Sequence, residues 1–336
     1  MKEALLYSKT GNGKTQCLLC NHYCTINPGK RGICGVRENR DGVLYSLVYG
    51  KLVAANIDPI EKKPLFHFQP GSKSYSIATA GCNFKCMHCQ NYSISQLSTG
   101  AEDIPGHYST PADVIAAAER SGCKSISYTY TEPTIFFEFA YDCAKLAHEQ
   151  GMKNIFVSNG YTSTEAIKII APYLDANNID VKGDDNFYKK IAGARLKPVL
   201  DTIKLMKELG VWVEVTTLVI PDYNDSDDFL RFAADFIKSV DAEIPWHVTA
   251  FYPTYKLLNK PRTSIERLRA ARKIGMDAGL KFVYEGNVPG EGGENTYCPK
   301  CNLLLMERFG YNLAVKGLKN SKCVKCGCKI AGVDMP

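Results

Sequence analysis

The sequence predicts an α/β protein, a partial (β/α)6-type TIM barrel with a small Cys-rich metal module at each end. Three observations predict it. From about residue 75, apolar strand-like segments alternate with amphipathic helix-like ones. Residues 1–40 and 290–336 lack long periodic helices and are rich in Gly, Lys and Cys. Twelve of the 14 Cys fall into three groups, one in each flank and one at the start of the alternating region. The expected domains are 1–40, a metal module; 41–289, the barrel; and 290–336, a zinc-ribbon or rubredoxin-like module.

The strand candidates are Tyr75–Ala80, Ser125–Tyr130, Asn154–Ser158, Asn177–Val181, Val211–Val219, Trp246–Phe251 and Lys281–Tyr284. Most are β-branched or aromatic and apolar on both faces, as parallel strands covered by helices are. Helix starts are readable between them. Thr110-Pro111-Ala112-Asp113 offers an N-cap, a Pro at the first helical position and an acid in the first turn. Thr162-Ser163-Thr164-Glu165 and Thr263-Ser264-Ile265-Glu266 fit the capping box. Asp225-Ser226-Asp227-Asp228 opens a helix for which Phe229, Phe232 and Phe236 form one apolar face. Six or seven such units fall short of the ~250 residues of a complete eight-fold barrel. Functional groups are expected at the C-terminal ends of the strands in a partial barrel and in an open sheet alike. Gly286–Gly293 reads as the linker into the last module.

Hydrophobic residues make up 45% and charged residues 23% of the 336, which excludes a disordered or fibrous chain. No apolar run is long enough to span a membrane, and the apolar run at Ala4–Tyr7 is too short for a signal peptide. Clustered Cys in such a chain predict metal rather than disulfides, and a cytoplasmic location. Gly11-Asn12-Gly13-Lys14-Thr15 ends like a phosphate-binding loop, but Ser8 stands where its first Gly belongs and no buried strand precedes it. It reads as a plain loop.

The central group is Cys82-Asn83-Phe84-Lys85-Cys86-Met87-His88-Cys89, directly after the first strand. Its spacing lets one tight loop direct three sulfurs to a single centre, and three thiolates leave one iron of a four-iron cluster open. The alternative is a zinc site made of the three Cys and His88. Cys298, Cys301, Cys323 and Cys326 form paired Cys-x2-Cys knuckles for zinc or a single iron, with Cys328 as a surplus thiol. Cys17, Cys20, Cys24 and Cys34 form a less regular set for zinc or a second iron–sulfur cluster, and His22 is an alternative ligand. Cys123 and Cys143 read as small buried hydrophobes.

The Cys-x3-Cys-x2-Cys loop at this place resembles that of the radical SAM enzymes. The resemblance implies that Cys82, Cys86 and Cys89 hold a [4Fe–4S] cluster whose open iron binds S-adenosylmethionine. It further implies reductive cleavage of that molecule to a 5′-deoxyadenosyl radical. Tyr130-Thr131-Glu132-Pro133 falls where the superfamily has Gly-Gly-Glu-Pro, so Glu132 is implied as a contact for the SAM amino group. Val157-Ser158-Asn159-Gly160 and Ile179-Asp180-Val181-Lys182 resemble the Asp-Thr-Asn-Gly and Leu-Asp-Leu-Lys of the glycyl-radical-enzyme activases, the branch of the pyruvate formate-lyase-activating enzyme. These imply Asn159, Asp180 and Lys182 as contacts for SAM or substrate, while Val157 stands where that branch has a cation-binding Asp. Cys17-Leu18-Leu19-Cys20, Gly32-Ile33-Cys34-Gly35 and Asp58-Pro59-Ile60-Glu61-Lys62-Lys63-Pro64-Leu65 resemble most closely the radical SAM protein of the AmmeMemoRadiSam system. That protein is usually encoded beside a Memo-like and an AMMECR-type protein.

On this reading the hydrogen acceptor is a protein glycine, an RNA or a small molecule, and the electron donor is a flavodoxin or ferredoxin. No catalytic residue beyond the cofactor ligands is assigned. Two four-thiolate zinc sites and an oxidised three-thiolate cluster would bring the formal charge of +6 down to about +1, so net basicity says little about nucleic acid. Lys316, Lys319, Lys322, Lys325 and Lys329 nevertheless space a basic face through the last knuckle. A reading of another class is a zinc-stabilised adaptor whose barrel is catalytically silent. Thr216 and Thr217 on the fifth strand and His247 on the sixth are weaker candidates, and an isolated His in an apolar strand is more often hydrogen-bonded core than a catalyst.

Overall fold

The computed structural model describes residues 1–100 and 103–336. The chain forms two compact units, one of residues 1–58, 73–177 and 189–211, the other of residues 59–72, 178–188 and 212–336.

In the first unit the strands Lys73–Thr79, Ser125–Tyr128 and Lys153–Ser158 pair in parallel, with Ser125 opposite both Ser74 and Lys153. Ile77, Ile126, Tyr128, Ile155 and Phe156 are fully buried, which accounts for strands that read as apolar on both faces. Helices Pro111–Arg120 and Phe137–Glu149 separate them. The first has the capping box expected at Thr110, whose hydroxyl accepts from Asp113 N while the Asp113 carboxylate accepts from Thr110 N. Residues 1–46 fold as two small three-stranded antiparallel sheets. Strands Tyr7–Lys9 and Thr15–Cys17 form a hairpin, so the Gly11–Lys14 segment is its connection and not a phosphate loop. Cys123 and Cys143 are buried, as expected of small hydrophobes.

In the second unit the strands Trp212–Val219, Trp246–Ala250 and Val283–Gly286 pair in parallel, and the last residues of Ala176–Asp180 lie beside the first of them. Helices Asp227–Val240 and Ile265–Asp277 connect them. A three-stranded antiparallel sheet, Thr296–Tyr297, Leu304–Phe309 and Asn312–Val315, follows. A short hairpin of Leu318–Lys319 with Lys322–Cys323 completes the C-terminal region.

Three sequence expectations need correction. The caps at the second and third helix starts are Ser163 and Ser264, one residue later than a capping box on Thr162 or Thr263 requires. The Thr162 hydroxyl is engaged with Thr134 instead, and the Thr263 hydroxyl accepts from Phe251 N. On Asp227–Val240 the buried face is Phe229, Leu230, Ala233, Ala234 and Ile237, while Phe232 is exposed. The small Ala residues, not the aromatic repeat, set the close packing there. Among the described residues, no helix is long and apolar enough to cross a membrane.

Candidate functional site

The loop after Lys73–Thr79 carries Cys82, Cys86 and Cys89. Gly81 turns the chain into it with φ of 98°, a conformation that L side chains rarely adopt. Backbone contacts then hold the loop: Lys85 N donates to Ala192 O at 2.9 Å and Met87 N to Ile191 O at 3.1 Å. Nothing in residues 189–195 had signalled this role, because only carbonyl oxygens are used. Phe84 N donates to Cys82 Sγ at 3.4 Å, and Cys89 Sγ lies 3.1 Å from Ser95 Oγ.

The Glu132 carboxylate is buried at the end of the Ser125–Tyr128 strand segment, where it accepts four hydrogen bonds. Oε1 accepts from Thr134 N at 3.0 Å, Thr134 Oγ1 at 2.6 Å and Ser158 Oγ at 2.9 Å; Oε2 accepts from Asn159 N at 2.8 Å. Burial pushes its pKa up, and the four donors pull it back only in part. Glu132 therefore fixes the turn that carries Asn159. Asn159 in turn donates from Nδ2 to Asn83 Oδ1 at 2.8 Å and lies 3.9 Å from Cys82 Sγ, while its Oδ1 accepts from Tyr161 N. The structure thus joins three of the sequence candidates, Glu132, Asn159 and Cys82, in one chain of contacts. Asn83, which links them, was quoted in the motif but given no role; an Asn beside a metal-binding Cys carries no spacing signal of its own.

Asp180 and Lys182 belong to the second unit and form an ion pair, Lys182 Nζ to Asp180 Oδ2 at 2.5 Å. Tyr188 braces them, its hydroxyl donating to Asp180 O and accepting from Lys182 N, each at 3.1 Å. The weaker candidates have structural employment. Thr216 donates to Asn178 Oδ1, and Thr217 donates to Val181 O and accepts from Trp246 Nε1. His247 is buried with Nε2 2.7 Å from Glu214, a carboxylate that also accepts from the backbone N–H groups of Phe66 and His67.

A family model described as the radical SAM superfamily matches residues 76–233. Residues 76–233 thus carry a radical SAM domain. An uncharacterized protein of Methanocaldococcus jannaschii is 48% identical to the chain over 333 residues, 98% of this chain and 99% of that protein. The pyruvate formate-lyase-activating enzyme of Clostridium pasteurianum is 25% identical over 219 residues, 61% of this chain and 89% of that enzyme. The crystal structure of Streptococcus suis SuiB bound to S-adenosylmethionine aligns with a TM-score of 0.51 at 15% identity, over 69% of this chain and 53% of SuiB, a likeness of fold.

A radical SAM domain implies a [4Fe–4S] cluster and SAM, and the donors of the Cys82 loop fit such a cluster. Three thiols come from one short loop, and Cys82 lies within electrostatic reach of both Cys86 and Cys89. They are not drawn together as they would be around a single ion: among the described residues, the one group of three or more ligand atoms lying within 4.8 Å of one another is Cys298, Cys301, Cys323 and Cys326. In that C-terminal set, Cys298 and Cys326 Sγ are 3.6 Å apart and Cys301 and Cys323 Sγ 3.5 Å apart, close to the about 3.8 Å edge of a tetrahedron built on 2.3 Å zinc–sulfur bonds. The C-terminal module thus has the geometry of a site for one metal ion. Cys328 stands outside the four.

The N-terminal Cys17, Cys20, Cys24 and Cys34 come together in the first unit, and all four line one cavity. His22 also lines it, but its Nε2 is taken up by Asn83 O at 2.8 Å and its ring packs 4.7 Å from that of Tyr161. Burial lowers the His22 pKa and pushes the Cys17 thiol up to about 11, so without a cation this sulfur stays protonated.

Proposed function

We propose that this protein is a radical SAM enzyme of the activating-enzyme type, built on a partial barrel, that abstracts a hydrogen atom from a glycine of a protein partner. The observation that carries the reading is the Cys82 loop, where three thiols are held in place by backbone contacts and braced through Asn159. Cys82, Cys86 and Cys89 would hold the [4Fe–4S] cluster, leaving one iron without a protein ligand. That cluster supplies the electron that cleaves S-adenosylmethionine to methionine and a 5′-deoxyadenosyl radical.

The chain's own residues orient and exclude. Glu132 holds the Ser158–Asn159 turn, and its Oε2, with one protein donor, keeps acceptor capacity for an ammonium group. Asn159 donates toward Cys82 Sγ and Asn83, fixing the loop against the turn. Asp180 and Lys182 are proposed contacts for SAM or substrate on the resemblance of Ile179-Asp180-Val181-Lys182 to the activases. The glycine acceptor is supported by the likeness to a pyruvate formate-lyase-activating enzyme. A reading with RNA as acceptor is favoured by one observation: Lys316, Lys319, Lys322, Lys325 and Lys329 are all exposed.

The electron donor is proposed to be a flavodoxin or ferredoxin, and Memo-like and AMMECR-type proteins are proposed partners. A reducing, cytoplasmic setting is supported by 14 cysteines of which none forms a disulfide. The test is anaerobic reconstitution with iron and sulfide, reduction, and assay of 5′-deoxyadenosine from SAM. Product is expected from the native chain and not from Cys86→Ala; no product from the native chain, or equal product from both, would overturn the reading. Salt-independent pull-down of a protein partner would support the glycine acceptor, and salt-sensitive RNA binding lost with residues 290–336 would replace it with RNA.

A further inference from the structure

The two terminal Cys sets differ in a way that their sequences do not show. The C-terminal four bring every sulfur within 4.8 Å of the others. In the N-terminal set no three sulfurs do so among the described residues, although each of Cys17, Cys20, Cys24 and Cys34 lies within electrostatic reach of the other three. Four thiols that surround one space without closing on it do not match a tetrahedral zinc site, whose sulfurs sit about 3.8 Å apart. All four line the same cavity.

Two buried polar side chains line the same cavity with hydrogen-bond capacity unspent. Arg37 is 2% exposed; its Nη2 donates to Glu138 at 2.5 Å, but its Nε and Nη1 have no hydrogen-bond partner. Asn83 is 1% exposed; its Oδ1 accepts from Asn159, but its Nδ2 has no partner. Buried N–H groups left unpaired cost free energy, so they imply an acceptor at this place. Around a zinc ion the only acceptors would be the four thiolates. A cluster presents inorganic sulfides as well as thiolates, and hydrogen bonds to those sulfurs are a usual way for a protein to hold and tune it. The guanidinium charge also offsets the negative charge that four thiolates leave on such a centre.

We infer that Cys17, Cys20, Cys24 and Cys34 hold a second iron–sulfur cluster, a cubane with all four irons ligated by protein, with Arg37 and Asn83 donating to its sulfurs. Having no open iron, this cluster does not bind SAM. Its place is next to the Cys82 loop: Asn83 belongs to that loop and lines this cavity, and His22 bonds the Asn83 carbonyl.

The experiment uses the full chain carrying Cys82→Ala, Cys86→Ala and Cys89→Ala together, reconstituted without air, with iron, acid-labile sulfide and zinc counted per chain. The expected result is about four sulfides with matching iron, and a reduced paramagnetic signal unmoved by added SAM. Adding Cys17→Ala and Cys20→Ala should remove that sulfide. No sulfide, with zinc raised to about two per chain, would overturn the inference by assigning zinc to both terminal sites. Sulfide that survives the N-terminal substitutions, or a signal that shifts with SAM, would also overturn it. The triple variant lacks the ligands of the proposed active cluster, so its outcome is independent of whether the native chain cleaves SAM.

Discussion

Gly81→Ala places a methyl group where the fold leaves no room, and its cost can be worked out in two parts. With φ at 98°, any L side chain at this position is strained by about 1–2 kcal/mol. A Cβ built there would lie 2.7 Å from Val36 Cγ1 and 2.9 Å from the Cys34 carbonyl oxygen. The second of these is backbone and cannot swing away, so an overpacking cost of about 1–3 kcal/mol is added. The expected loss is about 2–5 kcal/mol, a large share of the stability of an ordinary domain. Gly122→Ala is the control, because φ is 65° there and no atom would lie within 4 Å of the added Cβ. It should show the conformational part alone. Urea unfolding of both variants, with slopes compared, reads the difference. The same Gly81→Ala protein should reconstitute with less iron and sulfide, because the methyl pushes Cys34 and the Cys82 loop apart. Equal stability of the two variants would refute the close-contact argument.

Arg37→Met leaves the Glu138 carboxylate buried without its cation and should destabilise the chain by about 3–5 kcal/mol in urea, with most of the loss recovered in Arg37→Met/Glu138→Leu; no recovery in the double variant would show that the pair is not the cause. His67 is fully buried, which holds its pKa down to about 4. Since the folded value lies below the unfolded value of about 6.5, stability is fully present above pH 6.5 and is lost as pH falls toward 4, by roughly 3 kcal/mol. His67→Gln should flatten that part of the pH profile of unfolding, and an unchanged profile would rule His67 out. Cys301→Ser should release the C-terminal metal, removing binding free energy on the order of 10 kcal/mol and lowering the Tm; an unchanged metal count would contradict the four-sulfur site.

The strands, most helix starts and all three Cys groups were legible because each rests on residue type at a fixed spacing. Seven apolar runs mark strands wherever the interior is dry on both faces, and Thr110 with Asp113 marks a cap because the two side chains bond each other's backbone. What stayed hidden depends on partners distant in sequence. The Arg37–Glu138 pair spans 101 positions, and Glu214 gathers Phe66, His67 and His247 from separate segments. The anchors of the Cys82 loop at Ile191 and Ala192 are carbonyl groups that every residue possesses. The roles of Glu132 and Asn159 were half legible: the motif resemblance pointed to cofactor contact, while their service to each other and to Asn83 appears only in the folded chain. The spacing of the N-terminal cysteines favoured zinc over a cluster; that no three of their sulfurs close to within 4.8 Å of one another, among the described residues, is visible only in the folded chain.

The most direct test of the central claim, an open iron on the Cys82, Cys86 and Cys89 cluster, is paramagnetic resonance of the dithionite-reduced native chain before and after SAM is added. The account predicts a four-iron signal of which one component shifts with SAM and vanishes in Cys86→Ala. A spectrum without that signal, or with every component indifferent to SAM, would contradict it.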